Sequence, residues 1–527
     1  LSEYDNLGAA AYLRAKEDYL MGINFSRVLT LKYGNSIKSY LKADRAVVSV
    51  GRVMTCVLGM VVNREREIRG FVKTPFYRVL LKEQLCGRSF DFEWKAVEGS
   101  RYASSPLLYK ENGFKEKESA QKLIDFLTQA PLEDAVVESV EKKKETKNPP
   151  LLYNLAELQN DCSRLFKISP DETLRIAQEL YEKKMTTYPR TDARVLSTAV
   201  SKEISRNLKG LAGWETVREE AQHVLETGTY QQIAKTRYVN DKQITDHYAI
   251  VPTGQGLGNL RSLTPTAAKV YEIIARRFLR IFYPAAIYRK INLVLGVKGE
   301  KFFAGFKVLE EEGYLAASRF SFSQRRVNAP GGGENAKPEK EGQGEGDAFE
   351  NQELAETGID REFMEALNKM RKGMKLPLGR FSIKEGETSP PKRYNSGTMI
   401  LTMENAGQFI EDEELRSQIK GSGIGTSATR AEILKKLVNI QYLALNKKTQ
   451  VITPTLMGEM IYEVVSSSIR PLLDPALTAS WEKGLTMVAE GTITQEEYMK
   501  KLDDFVRRRT NIVKQLSNQA ALNRQFH

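Results

Sequence analysis

A chain of 527 residues is long enough for about three to four domains of ordinary size. Its 41% hydrophobic and 28% charged residues are a globular composition that excludes a disordered or fibrous chain. Lys and Arg total 79 against 67 Asp and Glu, a net +12, and Gly331 to Glu356 alone holds eight acids and two lysines, so the remainder carries +18, a surplus suited to a polyanion such as nucleic acid.

In chain order, Tyr4 to about Gly34 is rich in Ala, Leu and Arg at helical spacing and reads as a helix pair. The apolar run Val53 to Val62 is about half the length that spans a bilayer, and no charged-then-apolar leader opens the chain. A soluble, intracellular protein without a membrane partner is expected. Past Pro75 the pattern turns to aromatic and β-branched residues, as in Phe76-Tyr77-Arg78-Val79-Leu80. It returns where Ile291, Leu293, Leu295 and Val297 alternate, and Lys298-Gly299-Glu300 can turn the chain into Phe302 to Val308. Between these β regions a helical block runs from Leu151 to about Tyr283, which predicts a β domain interrupted by an inserted helical one. Within the block, Asn154 to Phe166 and the helix opened by Ser169-Pro170-Asp171-Glu172 form a helix-turn-helix-like pair. Asn328 to Glu356, dominated by Gly, Glu, Lys and Gln, is expected as a mobile acidic loop. From Met399 helical periodicity resumes, with short β-like pieces such as Val451-Ile452-Thr453, and ends at Arg507-Arg508-Arg509, expected as a solvated helix face. Cys56, Cys86 and Cys162 contain no CxxC pair, so neither a disulfide framework nor a zinc ribbon is indicated and a reducing compartment is expected.

Directly after the helix pair comes Met185-Thr186-Thr187-Tyr188-Pro189-Arg190-Thr191-Asp192. Pro189 ends any helix and holds Tyr188 extended, which presents the phenol at a rigid turn. Arg190, two residues on, lies on the same side of an extended chain. A phenol of ordinary pKa, about 10, is a poor nucleophile until a cation favours its phenolate, and the same cation would stabilise a pentavalent phosphorus transition state. Tyr-x-Arg thus has a phosphoryl-transfer rationale, although among 22 tyrosines an isolated Tyr-x-Arg is far more often an ordinary surface turn.

The surrounding segments change that balance. Leu151-Leu152-Tyr153-Asn154-Leu155, Ala177-Gln178-Glu179-Leu180-Tyr181 and Thr187 to Asp192 closely resemble the active-site region of type IA DNA topoisomerases. In order along the chain, Arg14-Ala15-Lys16-Glu17-Asp18-Tyr19-Leu20-Met21-Gly22-Ile23-Asn24, Ser49-Val50-Gly51-Arg52-Val53-Met54-Thr55, Asp246-His247-Tyr248-Ala249-Ile250-Val251-Pro252-Thr253, Pro390-Pro391-Lys392-Arg393-Tyr394 and Gly423-Ile424-Gly425-Thr426-Ser427-Ala428-Thr429-Arg430 also look like family signatures. The last three groups are more similar to the topoisomerase III branch. The resemblance implies a toroidal isomerase that cuts one DNA strand, keeps it as a 5′-phosphotyrosine, passes another strand and reseals without ATP, with relaxation or decatenation as the outcome. It implies single-stranded DNA and underwound or catenated duplex as partners, a helicase as a candidate partner, and a cytoplasmic, nucleoid-associated location. Tyr188 matches the family nucleophile, Arg190 the arginine that braces the scissile phosphate, and His247 a histidine near the cleavage centre; on local sequence His247 is equally a structural histidine beside a turn. Arg14, Asp18, Ser49, Gly51, Arg52, Thr55, Thr191, Asp192, Gly425, Thr426, Thr429 and Arg430 match DNA-groove positions. The small side chains and backbone access around Ser49 to Thr55, and the glycine-rich approach to a helix at Thr429 and Arg430, suit phosphate oxygens.

The sequence departs from the family at Met54, where glutamine is common, and at Tyr248, which replaces a second histidine. No stretch matches the acidic Asp-x-Asp motif, catalytic Glu and Lys of the N-terminal Toprim domain, so Mg²⁺ is expected on that domain, with no metal residue in this chain. The chain opens on Leu1 at a point resembling the segment after Toprim, and a fragment lacking that domain is expected. The competing reading is a non-catalytic single-stranded DNA-binding remnant or regulatory paralogue. The expected architecture is mixed α/β and multidomain. A helical groove domain comprises residues 1–73 and 398–527, and a β-rich arch comprises 74–149 and 263–397 with the acidic insert 328–356. An inserted helical domain, 150–262, helix-turn-helix or winged-helix-like, carries Tyr188.

Overall fold

The computed structural model describes residues 4–322 and 361–526 apart from Cys86, Thr245, Gly421 and Ser422. The acidic loop Asn328 to Glu356 lies outside the described residues. In chain order the helices used below are α1 (Asp5–Leu41), α2 (Arg52–Arg69), α3 (Lys117–Thr128), α4 (Leu155–Phe166), α5 (Pro170–Glu182), α6 (Thr198–Ser201), α7 (Ile204–Leu211), α8 (Arg218–Thr227), α9 (Pro265–Arg280), α10 (Arg361–Asn368), α11 (Ser396–Glu404), α12 (Glu413–Gln418), α13 (Arg430–Asn439), α14 (Leu456–Ser466), α15 (Pro475–Ala489) and α16 (Gln495–Gln515). The strands are β1 (Pro75–Leu85), β2 (Arg88–Lys95), β3 (Leu108–Lys110), β4 (Gly113–Phe114), β5 (Ala135–Lys147), β6 (Ala286–Val297), β7 (Glu300–Glu311), β8 (Lys375–Leu376), β9 (Arg380–Glu387), β10 (Leu443–Leu445) and β11 (Ile452–Pro454).

Where the sequence predicts a helix pair, α1 is one helix of 37 residues. No proline interrupts it, and its glycines are tolerated; Gly34 lies so close to the following segment that a Cβ would sit 3.1 Å from the Ala46 carbonyl. The helix stops at Lys42, whose left-handed backbone (φ 50°) lets its N–H reach the last carbonyls. Leu13, Met21, Phe25 and Leu29 of α1 share one apolar core with Val57 and Val61 of α2, Met399 and Met403 of α11, Ile461 of α14, Leu485 of α15 and Leu502 of α16. The two ends of the chain therefore build a single unit.

The β layer is an antiparallel sheet in the order β3-β4-β1-β2-β7-β6-β5-β8, with β9 also on β1. Lys298 (φ 48°) and Gly299 (φ 84°) make the two-residue turn between β6 and β7, the left-handed pair that matches strand twist. Its core holds Val79, Phe92, Trp94, Leu293, Leu295 and Phe302. Glu300, buried at the same turn, accepts from Trp94 Nε1 at 2.7 Å, Ser100 Oγ at 2.6 Å and the Arg101 N–H at 2.7 Å, so its charge is held by three donors.

β5 and β6 are adjacent and pair up to Lys147 opposite Ala286, so the helical block leaves and rejoins the sheet at neighbouring strand ends. The block contains α4 to α9. The sequence pattern runs the helical block to about Tyr283 while the inserted domain is drawn to residue 262; α9 packs with the block. Val270, Tyr271, Ile273 and Ile274 meet the core of α4 and α5, while Ala275, Phe278 and Leu279 meet that of α7 and α8. A helix buried on two faces needs neighbours on both; the block supplies them, and the segment after β7 adds Ser318, whose carbonyl accepts from Arg280, and Ser321, which donates to Glu272. Its polar residues are also committed there: Arg276 donates to Glu272, Glu220 and the Thr216 carbonyl, and Arg277 to the Leu151 carbonyl at 2.6 Å.

Candidate functional site

The turn after α5 is laid beside the segment Ala249 to Pro252 by a short ladder. The Thr187 N–H donates to the Val251 carbonyl at 3.0 Å, and Thr187 Oγ1 donates to the Ala249 carbonyl at 2.9 Å while accepting from the Val251 N–H at 3.0 Å. Thr191 Oγ1 donates to the His247 carbonyl at 2.9 Å. Pro189 keeps the chain between these anchors out of helix. The result places the Tyr188 ring beside His247, with centroids 4.4 Å apart at 44°. Tyr181, on the last turn of α5, meets Tyr188 edge-on at 5.4 Å and 83°. Tyr188 is half-buried, whereas Arg190 and His247 are exposed. Among the described residues Arg190 has no ion-pair partner, so its charge is available to an anion. A cavity of about 580 Å³ opens here, lined by Tyr181, Lys184, Thr187, Tyr188, His247 and Tyr248. A phenol, an imidazole and a lysine line this open cavity together with Glu182, and the exposed Arg190 follows Tyr188 two residues on; the cations can neutralise a phosphodiester, and the aromatic faces can accept a base.

Three of the residues picked out in the sequence, Tyr188, Thr191 and His247, are thus brought together, and Arg190, between Tyr188 and Thr191 in the chain, is exposed. Asp192 and Arg430 meet each other instead, across the contact between the tyrosine-bearing block and the groove unit. Arg430, 1% exposed at the first position of α13, donates from Nη1 to Asp192 Oδ1 at 3.0 Å. Beside it Asn154, the N-cap of α4, accepts from the Glu157 N–H at 2.9 Å with its Oδ1. Its Nδ2 donates to Glu404 Oε1 at 2.5 Å and to the Asp192 carbonyl at 3.2 Å. Ser163 and Ser396 hydroxyls lie 3.1 Å apart, and Lys435 pairs with Asp171 at 3.1 Å. The units approach so closely at Gly397 that a Cβ would fall 2.8 Å from Asn160 Cα.

Elsewhere the groove positions are mostly satisfied by protein. Arg52, 4% exposed, lies 3.1 Å from Glu17, 3.1 Å from Asp18 and 3.0 Å from Glu482, and Arg14 pairs with Glu482 as well. Burial opposes the charge of Arg52, but Glu17, Asp18 and Glu482 outweigh it and hold the guanidinium firmly protonated. Burial pushes the Glu17 carboxyl up to about 7, against the pull of Arg52 and a hydrogen bond from Tyr498 Oη at 2.7 Å. Met54, where the family commonly has glutamine, is buried in this core. The Ser49 N–H donates to Tyr442 Oη at 2.7 Å, and the Gly51 N–H, at the extended N-cap of α2, to the buried Thr55 Oγ1 at 3.0 Å. Gly425 is left-handed (φ 68°); the Thr426 N–H donates to Thr429 Oγ1 at 3.0 Å, and the Arg430 N–H to the Thr426 carbonyl at 3.1 Å. Sequence reasoning missed Glu404 and the cap role of Asn154 at the contact. The Asn-Leu-Ala-Glu start of α4 signals the cap, but nothing local links it to a carboxylate 250 positions away.

Among the described residues no cluster of three or more His, Cys, Asp or Glu is arranged to hold a metal ion, and no helix is long and apolar enough to cross a membrane.

A sequence profile described as DNA topoisomerase matches residues 2–500. The chain is similar to DNA topoisomerase 3 of Bacillus licheniformis, 30% identical over 521 residues, which covers 98% of this chain and 62% of that protein. DNA topoisomerase 3 of Bacillus subtilis is likewise 30% identical over 519 residues, with 98% of this chain and 62% of that protein covered. The chain therefore spans less than two thirds of the length of these relatives. Among solved structures, full-length topoisomerase I from Thermotoga maritima shares the fold, with a TM-score of 0.61 at 20% identity over 94% of this chain and 67% of that one.

Proposed function

Since the chain belongs to the type IA DNA topoisomerase family, we propose that it carries the covalent half of a topoisomerase III-like strand-passage reaction on single-stranded DNA. In this reading Tyr188 Oη attacks a backbone phosphorus. The Oη–P bond forms as the P–O3′ bond breaks, leaving a 5′-phosphotyrosine and a free 3′ oxygen. The phenol proton departs from Oη, the 3′ oxygen gains a proton, and resealing reverses both transfers without ATP. Arg190 neutralises the phosphate and the charge of the transition state, and His247 hydrogen-bonds a phosphate oxygen beside the phenol. The observation that supports this most is the placement of half-buried Tyr188 against His247 on an open cavity, two residues before an exposed Arg190 that has no ion-pair partner among the described residues.

The finer elements are part of the same proposal. The block holding Tyr188 hangs from adjacent ends of β5 and β6, a connection that lets it swing from the groove unit as a gate. Single-stranded DNA, and through it underwound or catenated duplex, follows the basic surface, with Arg14, Asp18, Ser49, Gly51, Thr55, Gly425, Thr426 and Thr429 along its path. The residues described do not fit Mg²⁺; a Toprim domain would supply the carboxylates for that ion, and the setting is the nucleoid in the cytoplasm.

The test is adduct capture. Labelled single-stranded DNA is mixed with the full chain, a supplied Toprim domain and Mg²⁺, then denatured and the protein adduct mapped. The adduct should sit on Tyr188 and vanish in Tyr188→Phe, which removes one oxygen and leaves folding and DNA binding intact. An adduct on any other residue would refute the assignment.

A further inference from the structure

Glu404 ends α11 in the groove unit, half-buried, at the contact with the tyrosine-bearing block. It accepts from Asn154 Nδ2, and the same amide donates to the Asp192 carbonyl. Glu404 therefore holds the start of α4 directly and reaches the segment just past Tyr188-Pro189-Arg190 only through the Asn154 amide. Arg430, from the same unit, takes the Asp192 carboxylate. The two contacts cross: a carboxylate reaches out from the groove unit to an amide, and a guanidinium reaches out to a carboxylate. The other charged groups at this point are Glu157, on the first turn of α4, and Arg194, which pairs with it at 3.0 Å.

We propose that Glu404 is the positioning residue of a latch that keeps the tyrosine-bearing block closed on the groove unit, and that taking up a proton on Glu404 tightens this latch. The inference rests on the topoisomerase reading in treating this contact as a gate. When ionised, Glu404 adds a third carboxylate to Asp192 and Glu157, with Arg430 already engaged by Asp192. When protonated, it still accepts from Asn154 and no longer repels its neighbours. Burial, opposed by Arg430 and reinforced by Asp192 and Glu157, pushes its carboxyl up to about 7 from an ordinary 4.5. With the block swung away, Glu404 returns to water and to the ordinary value. The closed state thus binds the proton more tightly, so closure is favoured at low pH and weakens as pH rises from about 4.5 towards 7. The closed-to-open ratio should fall roughly tenfold between pH 6 and pH 8.

The experiment measures the separation directly. Spin labels are placed on the full chain at Arg175→Cys of α5 and Glu432→Cys of α13, whose helices are tied by the Lys435–Asp171 pair and whose side chains are exposed. Cys86 is replaced by Ser, while Cys56 and Cys162 are buried with their thiols raised far above the usual range. The short-distance population should shrink as pH rises from about 4.5 towards 7 in the parent and level off above that. It should stay high across the range in Glu404→Gln, which copies the protonated form. In Glu157→Gln the transition should move to lower pH, because a like charge is gone. A pH-independent distance in the parent, or the same transition unmoved in both variants, would overturn the latch. DNA and covalent chemistry take no part in this measurement. Loss of the Tyr188 adduct would therefore defeat the topoisomerase reading without touching it, and a rigid interface would remove the latch while leaving Tyr188 in place.

Discussion

Arg52→Met tests what holds the groove unit together. The substitution keeps an unbranched apolar stem of similar reach but removes the cation that sits between Glu17, Asp18 and Glu482. Asp18, 53% exposed, can turn to water, whereas Glu17 is fully inaccessible on α1 and must either ionise alone or take a proton. Breaking a buried pair by removing one partner costs about 3–5 kcal/mol. The lower end applies here, because the Tyr498 hydroxyl still donates to Glu17. The pH dependence has a fixed sign. The folded Glu17 carboxyl lies at about 7 against 4.5 when free, so the folded unit prefers the protonated form, and stability is lost as pH rises from 4.5 towards 7. Removing Arg52 raises the folded value further, so the damage is greatest at pH 8, about 3 kcal/mol, and shrinks at pH 5.5, where Glu17 is already protonated. Hydrogen exchange of α1 and α2 amides, corrected for intrinsic rates, reads this as roughly a hundredfold loss of protection at pH 8. Glu17→Gln in the same chain should recover most of it. Single-stranded DNA binding per folded molecule should change only a few-fold, since the guanidinium already faces carboxylates. Unchanged protection at pH 8, or an equal loss at both pH values, would refute the reasoning.

Arg190→Lys keeps the charge but loses the planar fork, so single-turnover cleavage in the Toprim-supplemented system should fall about tenfold or more, and an unchanged rate would remove Arg190 from the site. Gly423 is left-handed (φ 65°), and a Cβ there would lie 2.2 Å from the Met403 carbonyl. Gly423→Ala should therefore destabilise the groove unit by about 2 kcal/mol or more and weaken oligonucleotide binding through displacement of Gly425 and Thr426; a variant with the parent melting curve would contradict this.

The elements that depend on near neighbours are legible in the order of residues alone. Pro189 after a capped helix announces an extended tyrosine, the alternation from Ile291 to Val297 followed by Lys298-Gly299 announces a hairpin, and Ser169 caps the helix that follows it. The continuity of α1 is not legible in that way, because Gly22 and Gly34 look like breaks unless the surface they pack against is known. The placement of α9 is hidden for a related reason: its apolar residues predict burial, but not which partner buries them.

Residue order alone sets the chemistry on offer: a tyrosine and an arginine two residues apart at a rigid turn, a histidine in a matching segment, and a net positive charge. Those are properties of covalent order, local backbone sterics and composition. Only the tertiary structure decided which charges remain free to act. Arg190 and Arg52 are both arginines in signature segments, yet among the described residues one is exposed with no carboxylate partner and the other is enclosed by three. Arg430 and Glu404, far along the chain from Asp192 and Asn154, serve a contact between units. The energy of a charge depends on its dielectric surroundings and on partners within a few ångströms, and chain folding brings those partners from hundreds of residues away.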